Sequence, residues 1–159
     1  MARLWDVATT LLSTVAAAFD GTDRPPSVAY VADGQITLDF GAEDALVVTF
    51  DRLRPGLAGV GAAGGHIDHA TILTGEFSIY VLRWAPVPDD QGNGPTTAEM
   101  HVAARIMLDD TLLVATTVLT GFANGTFLGT CGDASFLDST PVGPQGGFEG
   151  SRFRIAATL

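Results

Sequence analysis

The sequence predicts an α+β fold in which a mainly antiparallel β-sheet is flanked by two helices. Two stretches, 4–19 and 96–119, carry apolar residues at three- and four-residue steps, which is typical of amphipathic helices. Short runs rich in Val, Ile, Phe and Thr lie between and after them. These runs do not alternate with helices as in a βαβ sheet, so we expect both helices to cover one sheet face. The 159 residues are interpreted as a single domain, 1–159.

The first helix is predicted over residues 4–19. Gly21 and the pair Pro25-Pro26 follow it, and both are typical of a helix end. Several strand-like runs come next, and Asp33-Gly34 between the first two is a hairpin signal. The predicted strands are 27–32, 35–40, 45–53 and 75–87.

Two long flexible loops are predicted, at about 54–70 and 88–95. The first contains five glycines in 17 residues, too many for a stable helix or strand. A loop this long in a compact domain is usually functional, or is ordered by a partner.

The second helix begins with a capping box, in which the Thr96 hydroxyl and the Glu99 carboxylate each satisfy a free backbone N–H. We expect it to end near Leu119, before Gly121. The adjacent pair Asp109-Asp110 is interpreted as part of a solvated helix face. The positions that fit the helical spacing are Met100, Ala103, Ala104, Met107, Leu108, Thr111, Leu112, Ala115 and Val118.

The C-terminal part predicts two strands, 134–142 and 150–158, around the glycine-rich stretch "VGPQGGFEG". This stretch lacks the glycine patterns of phosphate-binding loops, and a strand follows it instead of a helix. We therefore expect a hairpin. In its last strand Phe153 and Ile155 share one face, and Arg152 and Arg154 share the other.

Charge and composition exclude some function classes. The net charge is −10 and all eight basic residues are Arg, so the chain is poorly suited to binding a nucleic-acid backbone. No run of 18 apolar residues is present, so no membrane-spanning helix is expected. Polar residues interrupt the N-terminal apolar stretch, so we expect no signal peptide and synthesis in the cytoplasm. The 47% hydrophobic content fits either a large core or surface buried between subunits.

Candidate catalytic and metal-binding residues are few. His66, Asp68 and His69 are capable metal ligands, but they lie in the first long loop without further ligands nearby in sequence. The single Cys131 is interpreted as a small buried hydrophobe, although a nucleophilic role with a histidine stays open. Asp89 and Asp90 lack an EF-hand pattern. We expect no cofactor, no metal and no enzymatic activity.

The arginines are candidates for contacts between subunits. Arg152 and Arg154 point to one face of a predicted strand, and Arg83 lies in another strand. A planar guanidinium favours paired hydrogen bonds to carboxylates, and each neighbouring copy would offer 18 acidic residues. The alternative is that these are ordinary surface arginines.

The order of these elements resembles that of tail terminator proteins of long-tailed bacteriophages. The resemblance rests on the N-terminal helix "LWDVATTLLSTVAAAF", the strand "GEFSIYVLRW", the capped long helix and the terminal hairpin "VGPQGGFEGSRFRIA". It covers most of the chain as a layout and includes no catalytic motif. The composition, without Lys and rich in Ala and Gly, is similar to that of proteins from phages of actinobacteria.

The resemblance implies a structural virion protein at the head-proximal end of the tail, assembled in the host cytoplasm. Such a protein forms a ring, usually a homohexamer, that caps the tail tube, ends its polymerisation and joins it to the head connector or stopper. DNA would pass through the acidic lumen without specific binding. Loop residues would then contact neighbouring copies or partners: Arg54, His66, Asp68, His69, Asp89 and Asp90.

Two other functions stay open at this point. A head-closure or connector neck protein is also a ring former of similar size. A small cytosolic enzyme that uses Cys131 belongs to a different class.

Overall fold

The fold is given by a computed structural model that describes residues 4–36, 44–55, 73–127, 129–145 and 147–159. Within these ranges the chain forms two helices and five strands, so the predicted α+β class is confirmed. In chain order the elements are α1 (Leu4–Asp20), β1 (Val28–Ala32), β2 (Asp44–Pro55), β3 (Leu73–Trp84), α2 (Thr97–Ala123), β4 (Asp133–Gln145) and β5 (Phe148–Thr158).

The five strands form one sheet in the order β1-β2-β3-β5-β4. The pairs β2–β3, β3–β5 and β4–β5 are antiparallel, as expected, whereas β1 and β2 are parallel. The prediction of a hairpin at Asp33-Gly34 is therefore wrong for β1, because β1 pairs with β2 in parallel and a hairpin joins antiparallel strands. Of the strand predicted over 35–40, Gln35 and Ile36 are not extended in a sheet, and 37–40 lie outside the described residues.

Both helices pack on one face of the sheet, which we call the helix face. The strands alternate, so every second side chain points toward α1 and α2. From α1, Leu11, Val15 and Phe19 are buried against the sheet. The largest sheet residues in this core are Leu46, Val48, Phe77, Ile79, Phe153 and Ile155.

Helix α2 starts at the predicted capping box. The Glu99 amide donates to the Thr96 hydroxyl at 3.3 Å, and the Thr96 amide donates to the Glu99 carboxylate at 2.7 Å. The Thr96 hydroxyl also donates to the Glu99 carboxylate at 2.7 Å, and this bond, together with the bond from the Thr96 amide, lowers the pKa of Glu99. The predicted end before Gly121 is wrong, because the helix continues to Ala123. Gly121 instead lies under the Phe127 ring, where a Cβ would come within 2.7 Å of that ring.

The glycine-rich C-terminal stretch is a hairpin between β4 and β5, as predicted. Gly147 has a φ of 87°, a conformation that glycine adopts without steric cost. A side chain there would also collide with Trp84, which stacks on Phe148 at 4.5 Å between ring centroids. Glycine is thus required for both the turn and the packing against it.

Replacing Gly150 by Ala is expected to lower the free energy of unfolding by roughly 2 kcal/mol or more. The added Cβ would overlap the Val81 carbonyl oxygen in the neighbouring strand, and backbone cannot rotate away as a side chain can. Urea denaturation checks this, with Gly143→Ala in β4 as the matched control because no atom lies within 4 Å of its Cβ position. Equal midpoints for the two variants would contradict the close approach.

Candidate functional site

The described charges are organised around two arginine-centred networks, one on each face of the sheet. On the helix face, Arg83 of β3 donates to three acceptors from three other segments. Its Nε reaches Asp110 Oδ2 of α2 at 2.8 Å, its Nη1 reaches Asp44 Oδ2 of β2 at 2.9 Å, and its Nη2 reaches the Arg24 carbonyl at 2.9 Å. The guanidinium also lies 5.4 Å from the Phe19 ring centroid.

The Arg83–Asp110 pair is buried, with the two residues only 8% and 3% exposed. Burial alone would lower the pKa of Arg83, but the hydrogen bonds and charges of Asp110 and Asp44 outweigh it and raise the pKa. Two expectations are therefore corrected. Asp110 does not lie on a solvated helix face, and Arg83 is occupied inside the chain rather than presented to a neighbouring subunit.

The opposite sheet face, which we call the open face, carries the second network. No described helix covers it. Arg152 donates to Ser78 Oγ at 2.8 Å and to Asp51 Oδ2 at 2.7 Å, and Ser78 donates to the same carboxylate. Asp51 reaches this face because the β2–β3 register shifts between Phe50 and Arg52.

Three further guanidinium groups on the open face converge on one carboxylate, that of Glu76. Arg52 Nε and Arg154 Nη2 approach Oε2 at 2.8 and 3.2 Å, and Arg54 Nη2 approaches Oε1 at 2.7 Å. Glu76 is only 5% exposed. The side chains of Arg52 and Arg54 are about half exposed, 51% and 49%, and each has further nitrogen donors without a partner among the residues that the structure describes.

The network on the open face has a surplus of positive charge. Asp51 binds Arg152, and Asp138 binds Arg154 at 3.0 Å. The four arginines 52, 54, 152 and 154 thus face three carboxylates, those of Asp51, Glu76 and Asp138. The surplus is one positive charge on a chain whose net charge is −10.

Helix α2 exposes large apolar side chains. Leu108 is 66% exposed and Leu112 is 69% exposed, and Leu119, further along the helix, is half exposed. These three lie four and seven residues apart, so they form one stripe, which we call the α2 stripe. The buried residues of α2 are Asp110, Val114, Val118 and Gly121. Of these, only Val118 is among the positions that fit the predicted helical spacing. The helix therefore buries a different face from the one that the apolar spacing indicates.

By length and composition alone, α2 is also apolar enough to cross a membrane, although the sequence contains no uninterrupted apolar run of that length. A core helix of a globular domain satisfies the same criterion. Here Asp110, near the middle of α2, is paired with Arg83 of the sheet.

A groove of about 490 Å³ separates the N-terminal half of α2 from the adjoining ends of β3 and β5. Its wall is mostly apolar, and Arg83, Asp110, Glu99 and Glu149 also line it. Glu149 is partly buried, and its carboxylate has no hydrogen bond or ion pair with the residues that the structure describes. The apolar lining includes Val81, Trp84, Val102, Ile106 and Met107.

The remaining candidate residues are the two predicted loop clusters and Cys131. His66, Asp68 and His69 lie outside the described residues, and within the described ranges no three metal-ligating side chains cluster. Asp89 accepts from the Gln91 and Asn93 amides at 2.9 Å, so it holds a tight turn in the predicted loop, with Asp90 exposed beside it.

Cys131 is buried, and its Sγ lies 3.5 Å from the Phe127 carbonyl oxygen. Burial, assisted by the charge of Asp133, raises the pKa of the thiol. A raised pKa favours the protonated thiol over the nucleophilic thiolate. The environment is that of a structural cysteine and does not favour catalysis at this position.

Sequence reasoning missed the acidic members of both networks, Asp110 and Glu76. The available signal was a charge inside a largely apolar segment: Asp110 lies in a long, mostly apolar helix, and Glu76 lies in a strand whose residues 76 to 79 are all buried. A carboxylate at such a position needs a cationic partner.

Comparison with protein-family models gives no match for this chain, and comparison with curated protein sequences gives none either. The likeness to tail terminators therefore remains a hypothesis drawn from the chain's own layout.

Replacing Asp110 by Asn is expected to lower the free energy of unfolding by roughly 3 kcal/mol, because Arg83 would keep its buried charge but lose its main partner. Asp109→Asn is the matched control, since its side chain is 52% exposed and its ion pairs are long, 3.8 Å to Arg105 and 4.0 Å to Arg24. The control should change stability by less than about 0.5 kcal/mol. Similar losses in both variants, measured by urea denaturation, would refute the central role of the buried pair.

Proposed function

We propose that this protein is a structural subunit that works as a homo-oligomer, and that the oligomer is the ring of a phage tail terminator. The observation that carries the proposal is the α2 stripe, which stays exposed in the single chain. Soluble monomers rarely leave large contiguous apolar surface in water. A stripe from Leu108 to Leu119, about 16 Å long at the rise of an α-helix, is suited to burial against another protein surface.

The charge distribution supports the same proposal. A chain of net charge −10 repels a DNA backbone, and a ring of such chains gives a wall along which DNA moves without sticking. The described residues offer no metal cluster, and the single thiol is buried. The proposed partners are further copies of the chain, the tail tube protein and the head connector, and the proposed location is the head-proximal end of the virion tail.

Leu108→Gln combined with Leu112→Gln is expected to shift the purified protein from oligomer toward monomer. Both side chains are mostly exposed, 66% and 69%, so the monomer fold should be unchanged while the buried apolar area of the oligomer is lost. Sedimentation velocity over a range of concentrations gives the oligomer fraction. Leu137→Gln on β4, which also replaces an exposed leucine, is the control. An unchanged oligomer fraction in the α2 variant would show that the α2 stripe is not part of the interface.

The terminator assignment itself has a direct test by negative-stain microscopy. The protein alone is expected to form rings, and mixed with tail tubes from the same source it is expected to cap one tube end and stop elongation. Rings that ignore tubes but bind the head connector would favour the neck-protein alternative. A monomer at all concentrations would refute the ring.

A further inference from the structure

The open face carries two partly exposed guanidinium groups, those of Arg52 and Arg54, next to each other. Glu76 holds Arg52 and Arg54 side by side at the end of β2, with bonds of 2.8 and 2.7 Å. Because a buried carboxylate fixes them, both guanidinium groups are ordered before any ligand arrives, which reduces the entropy lost on binding. Each uses one nitrogen on Glu76, and its side chain is about half exposed with further donors unpaired in the described part of the chain.

The net charge of the chain limits what can fill this site. Two copies, each with a charge of −10, repel one another unless a locally positive surface meets a negative one. The surplus on the open face is a single positive charge, too little to hold a polyphosphate backbone against the rest of the chain. It balances the charge of one protein carboxylate.

The side chain of Glu149 is a carboxylate whose charge is opposite to that of Arg52 and Arg54. It is partly buried in the wall of the apolar groove beside α2 and is unpaired within the described part of the chain. Because the groove wall is mostly apolar, an ion pair that a partner buries there is stronger than one on an exposed surface. Arg83 and Asp110, also in the groove wall, are paired with each other, and Glu99 adds negative charge, although its carboxylate is engaged in the capping box.

The two surfaces lie at opposite ends of the sheet. In the backbone register, Arg54 lies opposite Thr74 at the start of β3, whereas Glu149 lies opposite Arg83 at the end of β3. At the rise of a β-strand, the roughly nine residues between these points span about 30 Å. One copy therefore cannot join its own two surfaces. A contact between them is heterologous, and it generates a ring when the rotation closes.

We propose that Arg52 and Arg54 of one copy bind Glu149 in the α2 groove of the next copy. This contact rests on the proposed function, because it supplies the head-to-tail interface of the proposed ring. It also replaces the earlier assignment of the contact to Arg83, Arg152 and Arg154, whose guanidinium groups are engaged more fully within the chain.

A reciprocal charge exchange tests the pairing. Arg54→Glu alone places two carboxylates against each other at the interface, and Glu149→Arg alone places two guanidinium groups there. Each is expected to raise the concentration for half-assembly by about tenfold or more. In a mixture of the two variants, the two substituted side chains meet at one interface, and the original Arg54 and Glu149 meet at the next. Opposite charges then face each other at every interface, so alternating copies should assemble again.

A matched control separates this effect from a general change of charge. Asp23→Arg alters a side chain that is 85% exposed and lies outside both surfaces and outside the α2 stripe, so this variant should assemble as the unaltered chain does. If Arg54→Glu disturbs the packing around Glu76, seen by circular dichroism, the neutral pair Arg54→Gln and Glu149→Gln takes its place. Their combined effect should then be smaller than the sum of the single effects.

The outcomes distinguish this contact from the proposed function. Normal assembly of Arg54→Glu and Glu149→Arg, or a mixture that stays unassembled, overturns the contact while the ring stands. Binding of double-stranded DNA that is lost in the Arg54 variant also overturns it. An unaltered chain that stays monomeric refutes both the contact and the ring.

Discussion

The buried ion pair between Arg83 and Asp110 is the interaction on which the two-layer structure depends. The Arg83 side chain connects β3 to α2 through Asp110, to β2 through Asp44, and to the segment after α1 through the Arg24 carbonyl. A buried charge is tolerated only where its partners are fixed, so the pair restricts how α2 can be placed on the sheet. The hydrogen bond of 2.7 Å between Thr111 and Ser151 reinforces the same placement.

The placement of α2 decides which surfaces remain available. Directing Asp110 toward the sheet turns Leu108 and Leu112 outward, because residues two positions apart on a helix point in very different directions. It also leaves the groove between α2 and the ends of β3 and β5. The exposed apolar stripe and the groove are therefore consequences of one ion pair, and both are surfaces that we assign to contacts between copies.

The open face follows a different principle from the helix face. Its arginines and carboxylates form a connected network in which buried members such as Glu76 and Ser78 have hydrogen-bonded partners. A network of this kind holds each guanidinium in one orientation. Arg152 is largely satisfied inside the chain, whereas Arg52 and Arg54 are held in place but remain able to bind a further carboxylate.

Much of the secondary structure was determined by the sequence itself. The period of α1, the Thr96–Glu99 capping box, the strands and the C-terminal glycine turn are local features, and each depends on residues only a few positions apart. The alternation in β5 likewise placed Arg152 and Arg154 opposite Phe153 and Ile155. The parallel pairing of β1 with β2, the buried face of α2 and the partners of Arg83 and Glu76 were decided only by the tertiary structure. The side-chain contacts among them join residues from 22 to 78 positions apart, and local periodicity contains no information about such distant partners.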